Sequence, residues 1–260
     1  MIRSLILAML FAILALSPSL AGAQSAKPKL VPDVSQRKIS IESGFTGAEL
    51  LMFGAIIYPR GVTPSGQIDV AVVLRGPSQA ITLREKQRIL GIWINADSHE
   101  FLSVPGYYAV ATSRPLDKIV NPRTAEIYEL GVNRLQLSPS GTFERRENRR
   151  FEAGLVDLNR RGGLFRQSPG SVEITDSVLY RARLHVPSSV PVGRYTAETL
   201  LIRNGEVIMA DDSVEIEIRK TGFEQFISIL ADRYSLLYGV LAVVISLLFG
   251  WIAALIFQRL

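Results

Sequence analysis

The sequence contains no cysteine and only two histidines, His99 and His185, in 260 residues. The first absence removes disulfides, thiolate zinc sites, iron–sulfur clusters and cysteine nucleophiles together. It also leaves an oxidising compartment nothing to crosslink. No HExxH pair, no P-loop and no GxSxG nucleophile elbow occurs. Excess charge is scarce as well: 29 Lys and Arg against 24 Asp and Glu leave a net +5, with no long basic block. So small an excess carries no signature of nucleic-acid binding, and nucleic acid is not an expected partner. No cofactor motif is found, and no enzyme activity is expected.

What the sequence does have is two apolar ends. The first begins Met1-Ile2-Arg3, continues as an apolar run from Leu5 to Leu16, and closes on Ala21-Gly22-Ala23 before Gln24. One positive charge, a short apolar stretch and an Ala-x-Ala site predict a secretory signal peptide over 1–23. The second runs from Ser235 to Phe257 without a charged residue. It is long enough to cross a hydrocarbon layer of ~30 Å as a helix. Together the ends predict a single-pass protein of the inner membrane, with its bulk periplasmic and residues 258–260 as a cytoplasmic tail that includes Arg259. The lipid bilayer is then the first partner.

Within the span, Ala242, Ser246, Gly250 and Ala254 recur every fourth residue and share one helical face. Small side chains in register let a second helix approach closely. The stripe predicts packing against another membrane protein or a second copy of the chain. Residues 221–234 place Phe223, Phe226, Ile227, Leu230 and Tyr234 at helical spacing and predict an amphipathic juxtamembrane helix.

Between the ends the pattern is mainly strand. Residues 24–37 contain Lys27-Pro28-Lys29 and Pro32 and are expected to form a tether. Short β-branched runs at Lys38–Ser43, Glu49–Tyr58, Ile68–Arg75, Arg88–Asn95 and Tyr107–Ser113 predict a first β-rich unit over 38–114. A helical insertion is expected over 115–166. Asn121-Pro122 starts one helix there, and a charge-dense helix follows from Phe143 to Arg161, with Phe151, Leu155 and Leu158 inward and Gly162 past its end. A second β-rich unit is expected over 167–220, including a type I′ hairpin at Asn204-Gly205. Pro191-Val192-Gly193-Arg194-Tyr195 is similar to the tyrosine corner of immunoglobulin-like sandwiches, and Pro105-Gly106-Tyr107-Tyr108 echoes it. One or two immunoglobulin-like β-sandwich units with a helical insertion are therefore expected, two being favoured.

Three polar groups invite chemistry. Arg145, Arg146, Arg149 and Arg150 either pair along a solvated helix or contact an anion or partner. Asn95, Asp97, Ser98, His99 and Glu100 follow Trp93 and read as a polar loop, or as a metal-dependent ligand site or envelope-enzyme centre using residues 93–100. Ser43–Glu49 reads as a ligand loop or, the favoured reading, as a strand-to-strand turn whose glycines supply positive φ.

Over nearly the whole mature chain, the sequence resembles an uncharacterised alphaproteobacterial family of transmembrane proteins. The resemblance rests on Ser43–Leu50, Val70–Gly76 with Pro77, Gly91-Ile92-Trp93-Ile94-Asn95, and Val104-Pro105 with Tyr108-Ala109-Val110. Pro191-Val192-Gly193 with Tyr195, and Tyr238-Gly239, extend it. It implies topology rather than chemistry, and, through exporter-like genes near those of the family, an accessory role beside a transporter or envelope complex. The expected function is thus a membrane-anchored extracytoplasmic interaction protein.

Overall fold

Residues 68–75 read Ile-Asp-Val-Ala-Val-Val-Leu-Arg, an apolar run without alternation. A strand of that composition needs cover on both faces. A computed structural model of the protein provides it, describing residues 27–42, 44–61, 66–141, 144–221 and 230–257. The run is β4 (Ile68–Arg75), buried along its length in the middle of a three-layer domain.

One outer layer is a four-stranded sheet. Its order is β1 (Lys29–Val34), β3 (Gly47–Ile57), β11 (Leu179–Pro187), β10 (Val172–Thr175). The central layer is a six-stranded sheet. It runs β2 (Lys38–Ile41), β13 (Glu206–Lys220), β12 (Gly193–Arg203), β4, β7 (Tyr108–Thr112), β9 (Phe165–Pro169). The third layer combines a long hairpin of β5 (Ser78–Ile89) and β6 (Ile92–Pro105) with the two-residue strand β8 (Ser138–Pro139). It also holds α1 (Leu116–Ile119), α2 (Pro122–Ile127) and α3 (Arg145–Arg161). After the domain comes α4 (Ser235–Phe257), uncharged and without a buried residue.

Two cores follow from the layers. Leu30, Leu50, Met52, Ile56, Val70, Val72, Leu201 and Ile216 fill the space between the two larger sheets. On the other face of the central sheet, Val73, Val110, Leu200 and Ile202 meet Phe101, Leu116, Ile119, Phe151 and Leu155. The protein is mainly β and a sandwich, as its sequence pattern implies. The favoured division into two units gives way to one: β12 lies between β4 and β13, and β11 pairs with β3. Both sheets join strands from both halves, β3 to β11 in one and β4 to β12 in the other, so neither half has a core of its own.

Other expectations are corrected locally. The tether over 24–37 contains β1, paired with β3 from Lys29↔Ile57 to Val34↔Met52. Leu30 and Val34 point into the core, and Pro32 is tolerated because β1 is an edge strand. The expected insertion over 115–166 reaches into β9, which joins the central sheet parallel to β7. Residues 93–100 are not a loop but part of β6. The turn sits earlier, at Leu90-Gly91, where both φ values are positive, 51° and 86°. Leu158 faces solvent, and Val156 joins Phe151 and Leu155 in the core instead. Asn121 caps α2 through Oδ1, which accepts from the Thr124 N–H at 2.7 Å. Asn204 and Gly205 have the expected left-handed φ of 52° and 82°. The expected signal peptide (1–23), residues 222–229 of the juxtamembrane segment and the tail 258–260 lie outside the described residues.

The end of the central sheet is built around a tyrosine corner. Tyr195 Oη donates to the Pro191 carbonyl at 2.7 Å. Its ring lies against Gly76, where an added Cβ would stand 2.9 Å from Tyr195 Cε1 and 3.0 Å from the Tyr107 amide nitrogen. Gly106 is as crowded, with Pro191 Cγ 2.6 Å from such a Cβ. Tyr107 Oη crosses to the other sheet and donates to the His185 carbonyl at 2.6 Å. Its neighbour Tyr108 points the opposite way and donates to the Glu129 carbonyl in the third layer. Consecutive tyrosines thus pin all three layers, because side chains alternate along a strand.

Two predictions follow from the corner. Tyr195→Phe keeps the ring and loses the hydrogen bond, lowering stability by about 1 kcal/mol in denaturant titrations of the full chain, whereas Gly76→Ala forces the corner open and costs about 1–3 kcal/mol. Alkaline pH is the second probe. Burial raises the phenol pKa of Tyr107, Tyr108 and Tyr195, and pushes Tyr180 up to about 12. The folded values exceed the unfolded value of about 10, so the neutral phenols stabilise the fold fully below pH ~10 and progressively less above it. Ultraviolet titration should show these phenols ionising together with unfolding; ionisation at pH ~10 in the folded protein would contradict the burial.

Candidate interaction surfaces

The buried ionisable groups serve the fold. Asp69, 4% exposed, accepts hydrogen bonds from Ser113 Oγ at 2.7 Å and from Arg114 through Nε and Nη2. Arg75 donates to the Tyr128 carbonyl and stands 3.4 Å from Glu129 and 3.7 Å from Glu198. Burial raises the Glu198 pKa, against the lowering effect of Arg75. Asp69 thus ties the end of β7 to β4, and Arg75 fastens the Tyr128–Glu129 turn of the third layer to the central sheet.

The two histidines are kept apart. His99 is buried among rings, 4.7 Å from Phe101 and stacked 5.0 Å from Phe151, centroid to centroid. Asp97, which with Glu100 is a candidate companion for His99 in the metal-dependent alternative, faces Arg150 and Gln87. Glu100 is exposed, as alternation along β6 requires. His185 lies on β11 in the opposite layer, at the rim of a cleft of about 440 Å³ with Glu49, Tyr107, Arg166, Ser168 and Arg183. Among the described residues no three metal-ligating side chains come together.

The arginine-rich helix divides. Arg150 reaches the hairpin: Nη2 is 3.0 Å from Glu85 and 3.3 Å from Asp97, and its guanidinium carbon lies 5.2 Å from the Phe151 ring centre. It fastens α3 to β5 and β6. Arg145, Arg146 and Arg149 are exposed and form no ion pair with the described residues. Their charges face solvent along one helix, open to an acidic partner.

Sequence reasoning missed two apolar surfaces. On the outer face of the four-stranded sheet, Val31, Phe53, Ala55 and Leu179 line a cleft of about 460 Å³ with Asp33 and Arg181 at its edge. Ile57 extends this face, and Val31, Phe53, Ile57 and Leu179 are all exposed. The signal was in plain alternation: Phe53, Ala55 and Ile57 occupy every second position, on the face opposite the inward residues Met52 and Ile56. The second surface is the tip of the β5–β6 hairpin, where Ile89, Leu90, Ile92, Trp93 and Ile94 are exposed. Its turn, Leu-Gly, lacks the Asn-Gly or Asp-Gly signature that would have revealed it.

On α4, Ala242, Ser246, Gly250 and Ala254 lie on an uncovered helix. Ser246 Oγ donates to the Ala242 carbonyl at 2.8 Å, so its hydroxyl is satisfied within the helix. An added Cβ at Gly250 would meet no atom within 4 Å.

Substitutions separate these roles. Arg150→Ala should lower stability by about 0.5–1 kcal/mol and raise amide exchange across 85–97, because its pairs are only partly shielded from water. Replacing Arg145, Arg146 and Arg149 together by Ala should change stability by no more than about 0.5 kcal/mol. Equal exchange in the two variants would show that Arg150 does not hold the hairpin.

Residues 29–259 match the model of a protein family described as "Putative transmembrane protein" (Alph_Pro_TM). No curated protein and no solved structure matches the chain.

Proposed function

The chain belongs to this transmembrane family, and on that premise we propose that it is a non-enzymatic accessory protein of the inner membrane. Its β domain lies in the periplasm, α4 is its single span, and the sandwich docks on another membrane protein, a transporter or envelope complex. The observation that carries the reading is the apolar outer face of the four-stranded sheet, with Val31, Phe53, Ile57 and Leu179 side by side on three strands. Contiguous exposed apolar surface of this kind characterises protein contact sites.

Other features support it. A span confines the search for a partner to the plane of one membrane and raises its effective concentration there. The stripe of Ala242, Ser246, Gly250 and Ala254 offers a close-packing face to a neighbouring helix. The resemblance noted for the sequence points to exporter-like proteins as the class of partner. An envelope enzyme or metal-dependent binder using residues 93–100 is the weaker alternative. Asp97 is engaged by Arg150 and Gln87, and His99 is packed between two phenylalanine rings.

The test is purification of the tagged full-length protein in mild detergent, with co-purifying proteins read by mass spectrometry. Phe53→Asp with Leu179→Asp changes outward side chains and should cost about 1 kcal/mol or less in stability. It should reduce recovery of a polytopic membrane protein about tenfold, as loss of an interface anchor does. Gly250→Leu should weaken the same association through the span. Recovery unchanged in both variants, or recovery of the chain itself only, would refute docking on a different membrane protein.

A further inference from the structure

The hairpin of β5 and β6 is an arm that ends in surface that folding leaves open. Its ladder runs from Ser78↔Pro105 to Ile89↔Ile92, and Leu90-Gly91 makes the turn. At ~3.3 Å per residue, twelve residues of β5 span about 40 Å. Helix α3 fastens the arm at Glu85 and Asp97 through Arg150. Beyond those residues, Leu90 is 98% exposed, Ile92 68% and Trp93 65%. A turn so apolar would ordinarily be selected against on a free soluble surface.

Alternation sorts the rest of the arm. Arg84, Lys86 and Arg88 project from one face, with Trp93 directly opposite Arg88. Ile89, Ile92 and Ile94 share the other face. The order along the arm is therefore an aliphatic turn, then Trp93 level with Arg88, then Lys86 and Arg84 set back by two and four residues. That order is the chemistry of a bilayer boundary. Aliphatic side chains suit the acyl region, indole suits the headgroup level, and long basic side chains reach up to phosphate. A convex tip also needs no shaped pocket in a fluid surface.

Topology places the root of the arm near the exit toward that boundary. The ribbon of β4 and β7 continues past Arg75↔Tyr108 into the arm, through Gly76 N–H to the Tyr107 carbonyl and Gly106 N–H to the Pro77 carbonyl. The same end of the central sheet holds the end of β13: Thr196 pairs with Arg75, and Gly193 with Ile218. The arm's root and the exit toward the span thus share one end of the domain. From Lys220 to Leu230 the chain can extend at most about 35 Å, and the helical turn from Leu230 to Ser235 adds about 7 Å, which together are comparable with the arm itself.

We propose that the arm is an interfacial anchor: Leu90, Ile92 and Trp93 enter the headgroup–acyl boundary of the bilayer that α4 crosses, and Arg84, Lys86 and Arg88 contact anionic headgroups. The domain is then held at two points, which fixes its orientation on the membrane. The proposal rests on the span and the arm alone, not on docking through the outer sheet face.

The absence of cysteine makes the test direct. Full-length protein carrying Leu90→Cys, labelled with an environment-sensitive fluorophore, is reconstituted into phosphatidylglycerol–phosphatidylcholine vesicles. The same label at Glu206→Cys, beside the Asn204-Gly205 turn at the opposite end of the central sheet, is the reference. The Leu90 label should be quenched by nitroxides placed high on the acyl chain and shielded from aqueous iodide, and the Glu206 label should show the reverse. Replacing Arg84, Lys86 and Arg88 by Glu should reduce lipid quenching severalfold while amide exchange in the sandwich stays unchanged. Equal iodide access at the two sites would overturn the proposal. Shielding that appears only when a partner protein is added would also overturn it, and would assign the tip to that partner. Equal quenching in purely zwitterionic vesicles would refute the role of the three cations.

Discussion

The fold depends on the crowded corner where β4 passes into the arm and β12 begins. Gly76, Gly106 and Gly193 are there because a Cβ at any of them would stand about 3 Å or less from a ring, a proline or the backbone. Gly193 also has a φ of 145°, which side chains rarely adopt. Around them Tyr195 ties its own loop, and Tyr107 ties the central sheet to β11. Removing the corner would free the arm's root, the entry to β12 and the contact between the two sheets together. Gly76, Gly193 and Tyr195 belong to the segments that carry the family resemblance, so what those segments share is at least in part architecture.

Burying the central sheet on both faces has a structural consequence. A sandwich of two sheets alone would leave Val73, Val110, Leu200 and Ile202 in water. Covering them requires α1, α2, α3 and the base of the arm, and these are fastened by a few directional contacts. Tyr108 reaches the Glu129 carbonyl, Asn121 caps α2, and Arg150 clasps Glu85 and Asp97. The third layer therefore positions the arm. Arg150, which reads in sequence as one of four equivalent arginines, is the one that does structural service, while Arg145, Arg146 and Arg149 stay solvated.

Much of the architecture is legible before folding, and the failures have definite causes. The span, the Asn121 cap, the Asn204-Gly205 turn and the tyrosine corner each follow from a local rule that tertiary packing does not override. The strand β1 was hidden by Pro28 and Pro32, which mark loops in isolation but are compatible with an edge strand. The arm was hidden by a Leu-Gly turn and by a polar run from Asn95 to Glu100 that imitates a loop. In the structure those polar residues alternate between α3 and solvent. The sequence suggests two sandwiches where the fold has one, because periodicity reveals strands but not which strands pair across about 130 residues. The apolar surfaces were missed for a related reason: an exposed Phe53 and a buried Met52 look alike in sequence, and only the sheet's orientation separates them.

In the proposed arrangement these surfaces divide the labour of a tethered protein. A single span leaves a domain free to swivel, and most orientations would present the outer sheet face away from a neighbour in the same membrane. A second attachment through a stiff arm removes much of that freedom before any partner arrives. The entropy of orienting the domain is then met by the bilayer rather than by the protein contact, which allows a modest apolar face to suffice. The position of the face fits this logic. It lies on the layer opposite the one that carries the arm, with the central sheet between them, so contact with lipid through the tip leaves Val31, Phe53 and Leu179 uncovered.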